Sequence, residues 1–510
     1  MLNGTEVAKH TDRSSCWVII NSNAYDLTEY LDRHPGGAQV LLQYAGKDAT
    51  AVYEPIHPKG TIERFLAPEN HLGPVDPTTF TPQIASSAAN ESASDAQIQQ
   101  QDIPRLMSLC MSLHDIEATA EKLLSKPAWI YYASAADGLG ALDNNAADWR
   151  KVTLRPRLMR NVRRISTEQT VFDSKLRFPF FIAPAARAGL AHDDGELCLA
   201  RGAARKGIGY CVSSVASFPH DGISKAFYSS HDNSGALWFQ LYIANEKSVT
   251  LERIDAAKKG GYKALIVTID SPVIGKRESD ERYRIEISAE TLSNSFTGAQ
   301  TQEPPLSPPQ NSTDEGGDGP LPLRGVHSSI FNWDDLPWIR EAWQNHGPIG
   351  LKGIQTAEDA VLAYRHGVNA IYLSNHGGRQ CDDTPSSIAT LLEIRKFYPE
   401  LIEDSKFDIF LDGGIRRGAD VVKALCLGAT ACGLGRPFMY SVSMGYEGVE
   451  KAIQILSDEI ETTMRLIGAR SVQELGMGFV NTKRLEMEVL DGLPIDAPLL
   501  PTKSPVRSKL

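Results

Sequence analysis

Eight short apolar segments, each followed by a polar turn, constrain the fold of this chain more than any other feature of its sequence. They occupy residues 180–184, 209–213, 238–242, 264–270, 349–353, 370–376, 408–414 and 431–437. Helical stretches at 195–206, 247–259, 357–366 and 419–427 lie between them. This alternation predicts an α/β fold, a (β/α)8 TIM barrel, whose working side chains lie at the C-terminal ends of the strands.

Polar and small residues occur at each of those strand ends. They are Ala183, Pro184, Ala185, Ala186, Ser213, Gln240, Tyr242, Thr268, Asp270, Lys352, Ser374, His376, Arg379, Asp412, Gly413, Gly414, Ile415, Arg416, Gly435 and Arg436. Taken singly, each has a structural explanation, such as a tight turn at 412–414 or a solvated edge lysine at 352. Their joint occurrence on one face of one barrel favours an active site.

The sixth apolar segment runs into residues 374–380, Ser-Asn-His-Gly-Gly-Arg-Gln. The imidazole of His376 can take up a proton near neutral pH. The guanidinium of Arg379 can bind a carboxylate through two parallel hydrogen bonds. A base and a carboxylate clamp three residues apart indicate chemistry on a small organic acid. The glycine-rich turns with arginines at 412–418 and 433–437 are typical of phosphate binding in such barrels.

A separate compact unit precedes the barrel. A strand-like run at 16–20 and several short helices lie around two loop histidines, His34 and His57. Alone, either histidine is typical of a surface loop. Facing each other across a slot, the two can hold a haem iron in a closed six-coordinate site that transfers electrons.

The motifs of this unit resemble a cytochrome b5-type haem domain. They are the runs at 16–18, 25–28 and 45–50, the His-Pro-Gly-Gly turn at 34–37, and His57. The resemblance implies a haem-binding domain at 1–73, with haem b as cofactor and with His34 and His57 as the axial iron ligands. The chain has no C-x-x-C-H motif, so the haem is expected to be bound non-covalently.

Three segments lack the pattern of a packed core. Residues 74–102 are rich in Pro, Ser and Gln and are expected to form a flexible linker. Residues 286–328, within a barrel domain spanning 103–490, are expected to form a mobile insert. Residues 491–510 form a tail that ends in Ser508-Lys509-Leu510, the C-terminal address read by the peroxisomal import receptor. A peroxisomal location is therefore predicted, with the cytoplasm as the alternative.

Composition limits the classes of function. A length of 510 residues favours two or more domains. The formal net charge of -11 argues against a nucleic-acid partner, and no apolar run reaches the length of a membrane span. The first residues lack the pattern of a signal or transit peptide. The seven cysteines are scattered and form no C-x-x-C motif, so neither disulfides nor a thiolate metal site is expected.

Residues 126–490 resemble the FMN-dependent enzymes that oxidise 2-hydroxy acids, through the motifs at 374–380 and 412–418. The resemblance implies that FMN lies across the barrel mouth, held by the strand-end residues named above. It also implies Lys352 near the pyrimidine edge of the flavin ring. The remaining implied roles are carboxylate binding by Arg379, Tyr131 and Arg277, hydroxyl binding by Tyr242, general base catalysis by His376, and orientation of the His376 ring by Asp270.

A haem domain ahead of such a barrel resembles the flavocytochrome b2 group of L-lactate dehydrogenases. That resemblance implies oxidation of an L-2-hydroxy acid, electron transfer from FMN through haem b to an external acceptor, and a homotetramer. The first strand end reads Ala-Pro-Ala-Ala, where many members have threonine third. Val215 is smaller than the aromatic residue or leucine often found at its position, which leaves room for a substrate larger than lactate.

Three other functions compete with this interpretation. An oxidase would pass electrons to oxygen and release hydrogen peroxide, which suits a peroxisomal address. A non-catalytic haem carrier on an inactive barrel is disfavoured by the intact set of His376, Arg379, Tyr131, Tyr242 and Asp270. An FMN barrel for isomerisation gives no reason for two haem histidines and a carboxylate clamp.

Overall fold

The structure, a computed structural model, describes residues 1–34, 38–53, 57, 60–76, 79, 102–230, 235–293, 323–494 and 497–498. The N-terminal domain contains a four-stranded antiparallel sheet with strands Thr11–Asp12, Ser15–Ile20, Asn23–Asp26 and His71–Pro74. Its α-helices are Gly4–Val7, Ala38–Gln43, Thr50–Tyr53 and Thr61–Phe65, and its 3-10 turns are Thr28–Arg33 and Pro68–Asn70.

The alternation of side chains along the second strand builds two small cores. Cys16 and Val18 pack with Tyr44 on the side of the helices, whereas Ile19 packs on the opposite face with Val75. Successive residues of a strand point to opposite faces of its sheet, so both faces are covered. Because the last strand runs to Pro74 and Val75 is buried, this domain extends slightly past the boundary predicted at 73.

The predicted barrel is confirmed as a closed ring of eight parallel strands. In chain order the strands are Phe180–Ile182, Gly209–Ser213, Ala236–Leu241, Leu265–Thr268, Ile349–Ile354, Ala370–Leu373, Asp408–Leu411 and Ala431–Leu434. The first strand pairs with the eighth and closes the ring. Aromatic side chains fill the interior, where Phe181, Trp238 and Phe410 contact one another. The barrel is therefore a packed core, and any site lies at its ends.

Helices surround the ring. The α-helices after residue 102 are Ile103–Leu109, Leu113–Leu123, Lys126–Ala133, Gly140–Lys151, Gly195–Lys206, His220–Ser230, Lys247–Lys259, Glu278–Ser293, Leu336–Trp343, Ala357–Arg365, Ser387–Phe397, Pro399–Glu403, Gly418–Leu427, Arg436–Val442, Gly445–Ile467 and Lys483–Glu486. Short 3-10 turns are Ala188–Leu190, Trp333–Asp335, Val472–Glu474 and Met477–Phe479. There are also two short antiparallel strand pairs outside the barrel. One pairs Thr153–Leu154 with Val480–Asn481, and the other pairs Gln169–Val171 with Ser174–Leu176.

The insert after the fourth strand is shorter than predicted. Helix Glu278–Ser293 continues through 286–293, so the expectation of irregular structure is wrong there. The chain returns at residue 323, and Ser328 donates from its backbone to the carbonyl of Ile243 at 2.9 Å. Residues 294–322, most of the predicted linker and residues 501–510 lie outside the described residues. Among the helices that the structure describes, none has the length and apolar character needed to cross a membrane.

Candidate active site

His376 lies at the mouth of the barrel, just beyond strand Ala370–Leu373, with a backbone φ of 58°. A positive φ is uncommon for a residue with a side chain and marks a constrained position. Its Nδ1 lies 2.8 Å from Oδ1 of Asp270, and its Nε2 lies 3.3 Å from the hydroxyl of Tyr242. Because a carboxylate only accepts, Nδ1 carries the proton and Nε2 presents its lone pair. The predicted base, orienting carboxylate and tyrosine thus form one contiguous group.

The electrostatics of this group suit a neutral base beside a fixed anion. Burial lowers the pKa of His376, against the attraction of Asp270. Burial alone would raise the pKa of Asp270, but the His376 imidazole and the Lys352 ammonium together hold it well below its usual range. Burial also raises the pKa of the Tyr242 phenol far above its ordinary value. At neutral pH, His376 can therefore accept a proton, and Asp270 stabilises the imidazolium that results.

Two guanidinium groups lie next to this base. Arg379 has its guanidinium carbon 5.2 Å from the centre of the Tyr131 ring, and Nη1 donates to the carbonyls of Tyr131 and Ser134 at 2.8 Å each. Arg277 has a buried Nε that finds no hydrogen-bond partner among the described residues, and burial together with Arg379 lowers its pKa to about 10. Two neighbouring cations with an unsatisfied buried donor are stabilised by an anion, and a carboxylate fits the geometry of a guanidinium.

Gln380 connects the loops that carry these arginines. Its Nε2 donates to the carbonyls of Asp270 and Val273, both at 2.8 Å, and its Oε1 accepts from the backbone of Gly275 at 3.1 Å. One side chain therefore fixes the turn after the fourth strand to the turn after the sixth.

A buried chain of polar groups crosses the floor of the site. The ammonium of Lys352 donates to Oγ of Ser374 at 2.9 Å, and that hydroxyl donates to Oδ1 of Asp412 at 2.7 Å. Lys352 is 3% exposed and its Nζ also lies 3.5 Å from Oδ2 of Asp270. A lysine held in this way keeps a positive charge inside the site, where negative charge on a reduced flavin ring would be stabilised.

The ends of the first four strands supply a flat, hydrogen-bonding wall. Gln240 donates from Nε2 to the hydroxyl of Thr268 at 2.9 Å and accepts from the backbone of Ser214 at 3.1 Å. Ser213 is buried beside them, and its Oγ accepts from the backbone of Val215 at 3.3 Å. The small residues 183–186 line the first strand end, where Pro184, Ala185 and Ala186 are only partly buried. A planar ring fits against such a surface.

The turn after the eighth strand leaves space for a ligand. A Cβ added to Gly435 would meet no atom within 4 Å, so the backbone there is open to close approach. Gly414 differs, because a Cβ there would lie 1.7 Å from the carbonyl oxygen of Asn145. Gly413 and Gly414 both have positive φ and serve the packing of helix Gly140–Lys151 against the seventh strand end. The small wall, the buried lysine and the open turn together fit FMN.

The predicted phosphate contacts of two arginines stay predictions. Arg436 donates to the carbonyls of Tyr132, Gly377 and Ser134, each at 2.9 Å. Arg416 pairs through Nε with Glu117 at 3.2 Å. Ile415 is 2% exposed and packs in the core. In this structure these side chains stabilise the loops around the site.

The haem histidines face each other across the N-terminal domain. The ring centres of His34 and His57 are 6.0 Å apart. Two metal–nitrogen bonds of about 2 Å each, plus the distance from each nitrogen to its ring centre, account for this separation. Nδ1 of His57 lies 3.0 Å from the carbonyl of Tyr53, which leaves Nε2 for the iron. Burial lowers the pKa of His57, so its neutral, ligating form is favoured. The pair fits haem b.

Sequence reasoning missed three supporting residues. Asn375 exchanges hydrogen bonds with Asn145 at 2.8 and 3.0 Å, and Gln380 fixes two loops; both belong to the motif at 374–380, which drew attention to them without giving a role. His327 stacks on Tyr242, with ring centres 4.1 Å apart and planes at 6°. Burial lowers the pKa of His327 to about 4. No sequence spacing signals His327, because it follows the insert.

Two family models match the chain. Residues 120–482 match the FMN-dependent dehydrogenase family, and residues 3–76 match the cytochrome b5-like heme/steroid binding domain. The chain belongs to the FMN-dependent dehydrogenase family. Both cofactor predictions, FMN and haem b, are confirmed, as is the predicted order of the two domains.

Two relatives that match nearly the whole chain are named as dehydrogenases. L-lactate dehydrogenase (cytochrome) of Wickerhamomyces anomalus is 35% identical over 488 residues, or 94% of this chain and 79% of that protein. The enzyme of that name from Saccharomyces cerevisiae is 34% identical, over 96% of this chain and 81% of that protein. 2-Hydroxyacid oxidase 2 of Mus musculus is 36% identical over 74% of this chain and 100% of that protein. The haem-linked dehydrogenase prediction is confirmed, and the oxidase alternative is less supported.

Solved structures with a similar fold agree with this family assignment. A flavocytochrome b2 variant with pyruvate bound has a TM-score of 0.66 and 30% identity, covering 79% of this chain and 96% of that one. A mandelate oxidase variant has a TM-score of 0.57 and 29% identity, covering 71% of this chain and 96% of that one. The chain is thus a flavocytochrome b2-like, FMN-dependent oxidoreductase that acts on a 2-hydroxy acid.

Proposed function

We propose that the protein oxidises an L-2-hydroxy acid of the lactate type and delivers the electrons through haem b to an external acceptor, a cytochrome-like carrier. The observation that carries the proposal is the hydrogen-bonded group of Asp270, His376 and Tyr242 beside the cations Arg277 and Arg379. The arrangement supports the proposal because a candidate base, a candidate hydroxyl partner and two candidate carboxylate-binding cations lie beside one another.

The residues divide the reaction among them. Arg379 and Arg277 hold the substrate carboxylate, and Tyr242 positions the hydroxyl toward Nε2 of His376. Nε2 removes a proton, either from the hydroxyl with hydride transfer or from the carbon with formation of a carbanion, and Asp270 stabilises the imidazolium. The oxidation releases two electrons and two protons; bound FMN supplies the two-electron acceptor, and haem supplies a one-electron relay.

The space for the substrate side chain supports a range of 2-hydroxy acids wider than lactate alone. Val215, at the second strand end, is 39% exposed, so its side chain borders open space. A larger residue there would fill that space, whereas valine leaves it free. We therefore include 2-hydroxy acids with longer or aromatic side chains in the proposal.

Location and assembly complete the proposal. The tripeptide Ser508-Lys509-Leu510 supports import into peroxisomes through the import receptor, with the cytoplasm as the alternative. The family resemblance supports a homotetramer. In peroxisomes, oxygen would compete as electron acceptor, and the second candidate function is an oxidase that releases hydrogen peroxide.

One experiment tests the reaction and its acceptor. The purified holoenzyme is mixed anaerobically with a panel of 2-hydroxy acids while flavin and haem absorbance are followed together. Flavin bleaching followed by haem reduction supports the dehydrogenase. When oxygen is then admitted, prompt peroxide with an unreduced haem would instead establish the oxidase. A flavin that no 2-hydroxy acid bleaches would refute both.

A further inference from the structure

The junction between the two domains contains a cavity of about 230 Å³ beside His57. Its lining combines His57 with Ser125 and residues 189–193, the turn that follows the first barrel strand. At the same junction, Nη1 of Arg64 in the haem domain donates to the carbonyl of Ser217 at 3.0 Å. The haem slot therefore opens toward the mouth of the barrel.

Arg187 lies two residues before that turn, and its side chain is exposed. Its backbone has a φ of 64°, and its carbonyl accepts from the Tyr132 hydroxyl at 2.7 Å, so the position of its backbone is fixed. Its guanidinium carbon lies 5.5 Å from the centre of the Tyr131 ring. Arg379 lies 5.2 Å from the same ring. Among the described residues, no carboxylate pairs with Arg187. Arg379, by contrast, is already held by backbone carbonyls.

The segment that follows Arg187 also borders the haem side, because residues 189–193 line the cavity together with His57. The carboxylate in the cavity lining is Asp193, which engages another partner. Haem b carries two propionates on one edge, and a guanidinium is the side chain best matched to a carboxylate. The exposed guanidinium of Arg187, which lies over the Tyr131 ring close to this cavity, is therefore suited to bind such a carboxylate.

We infer that Arg187 binds a propionate of the haem and so connects the haem edge to Tyr131 at the substrate site. The role is a positioning one, because Arg187 fixes the haem relative to the flavin without touching the reacting atoms. A positive charge beside the propionates also favours the reduced iron, since reduction removes one positive charge from the iron. The contact would thus favour electron flow from barrel to haem.

The test compares Arg187→Gln with Arg187→Lys in the full-length holoenzyme. A control, Arg465→Gln, removes a half-exposed arginine that pairs with Glu461 on the outer helix. The first measurement is the haem midpoint potential, obtained by redox titration without substrate. The second is the rate of haem reduction after flavin bleaching, followed by rapid mixing. Every position keeps a side chain, so the constrained backbone at 187 is not altered.

The expected result is a more negative haem potential and about tenfold slower haem reduction in Arg187→Gln, the effect of losing one charge-assisted contact. Arg187→Lys should recover part of both, and Arg465→Gln should match the unmodified protein. An unchanged potential and rate in Arg187→Gln would overturn the inference, as would slower flavin bleaching with an unchanged potential. If haem is never reduced in the unmodified protein, the proposed electron route fails, while the potential still tests Arg187.

Discussion

The barrel site and the haem slot are organised by different kinds of contact. His376 is fixed by Asp270, a residue 106 positions away just beyond another strand, and faces Tyr242 at the end of a third. Within the described part of the chain, His57 bonds to the carbonyl of Tyr53, one turn earlier, and stacks on the ring of that residue at 4.4 Å. The barrel thus positions its base through the fold itself, whereas the haem histidines are held locally and depend on iron to join them.

The largest effect on flavin reduction is expected from a substitution in the barrel site, where the fold already positions the base. His376→Asn removes the base but retains a residue that tolerates a positive φ. Flavin reduction should slow by about 10²–10⁴-fold, the usual contribution of a general base. Rapid mixing with substrate measures the rate, and flavin and haem spectra serve as controls. Normal turnover with both cofactors bound would contradict the assignment of the base.

On the haem side, His57→Ala should abolish haem binding while 2-hydroxy acids still bleach the flavin. One of the two predicted axial ligands is lost, and a single remaining imidazole cannot complete the six-coordinate site. The haem absorbance of the purified protein measures retention, and the N-terminal domain should unfold at a lower temperature. Loss of flavin bleaching in the same variant would show that the two sites are not independent.

Tyr242→Phe sharpens the comparison within the barrel. It removes the hydroxyl 3.3 Å from His376 and keeps the ring that stacks on His327. Flavin reduction should slow about tenfold, the effect of one buried hydrogen bond to the reacting group. Steady-state rates with an artificial electron acceptor measure this. Equal rates for the two proteins would exclude a role for the phenol.

His327 separates packing from hydrogen bonding. His327→Ala removes the ring stacked on Tyr242, and flavin reduction should slow by a few-fold, up to about tenfold, the range of one aromatic contact. His327→Phe keeps a stacked ring and should retain most of the rate. If phenylalanine and alanine have the same effect, the imidazole acts through its nitrogens instead of its face.

The smallest effect concerns pH. Because burial lowers the pKa of His376 from 6.5, kcat/KM for flavin reduction should be constant above neutrality and should fall only when the pH drops below 6.5. Neutral imidazole is the active form, so acid inactivates. In Asp270→Asn the attraction that opposes this shift is lost, and the acid limb should move to still lower pH. An acid limb above 6.5 would show that a different group controls the rate.

Most of the barrel was predictable, because an apolar segment followed by a polar turn shows in the sequence where a strand ends. The second strand, Gly209–Ser213, matches its predicted range, whereas the sixth ends at Leu373 and not at 376. The overshoot has a physical cause: residues 374–376 leave the ladder to form the catalytic turn. Residue type and strand position singled out His376 as a candidate base, whereas the predicted orienting role of Asp270 came from the family resemblance; the structure brings the two side chains within 2.8 Å.

Contacts between distant segments could not be predicted. Arg416, a candidate cofactor-binding residue on the glycine-rich turn at 412–418, pairs with Glu117, 299 residues away. His327 reaches Tyr242 only because the chain returns from the insert beside the third strand. Neither contact leaves a periodic or spacing signal, since both depend on how loops of unequal length fold back over the same end of the barrel.

Gln380 gives the two substrate-binding cations a common support. Its amide fixes the carbonyls of Asp270 and Val273, so the segment bearing Arg277 and the one bearing Arg379 are braced as a unit. Any perturbation of that brace would alter the grip on the acid and the aim of the imidazole together. We therefore expect substitutions at Gln380 to change substrate affinity and turnover together. A substitution at Val215 should change which acid is accepted while leaving this support in place.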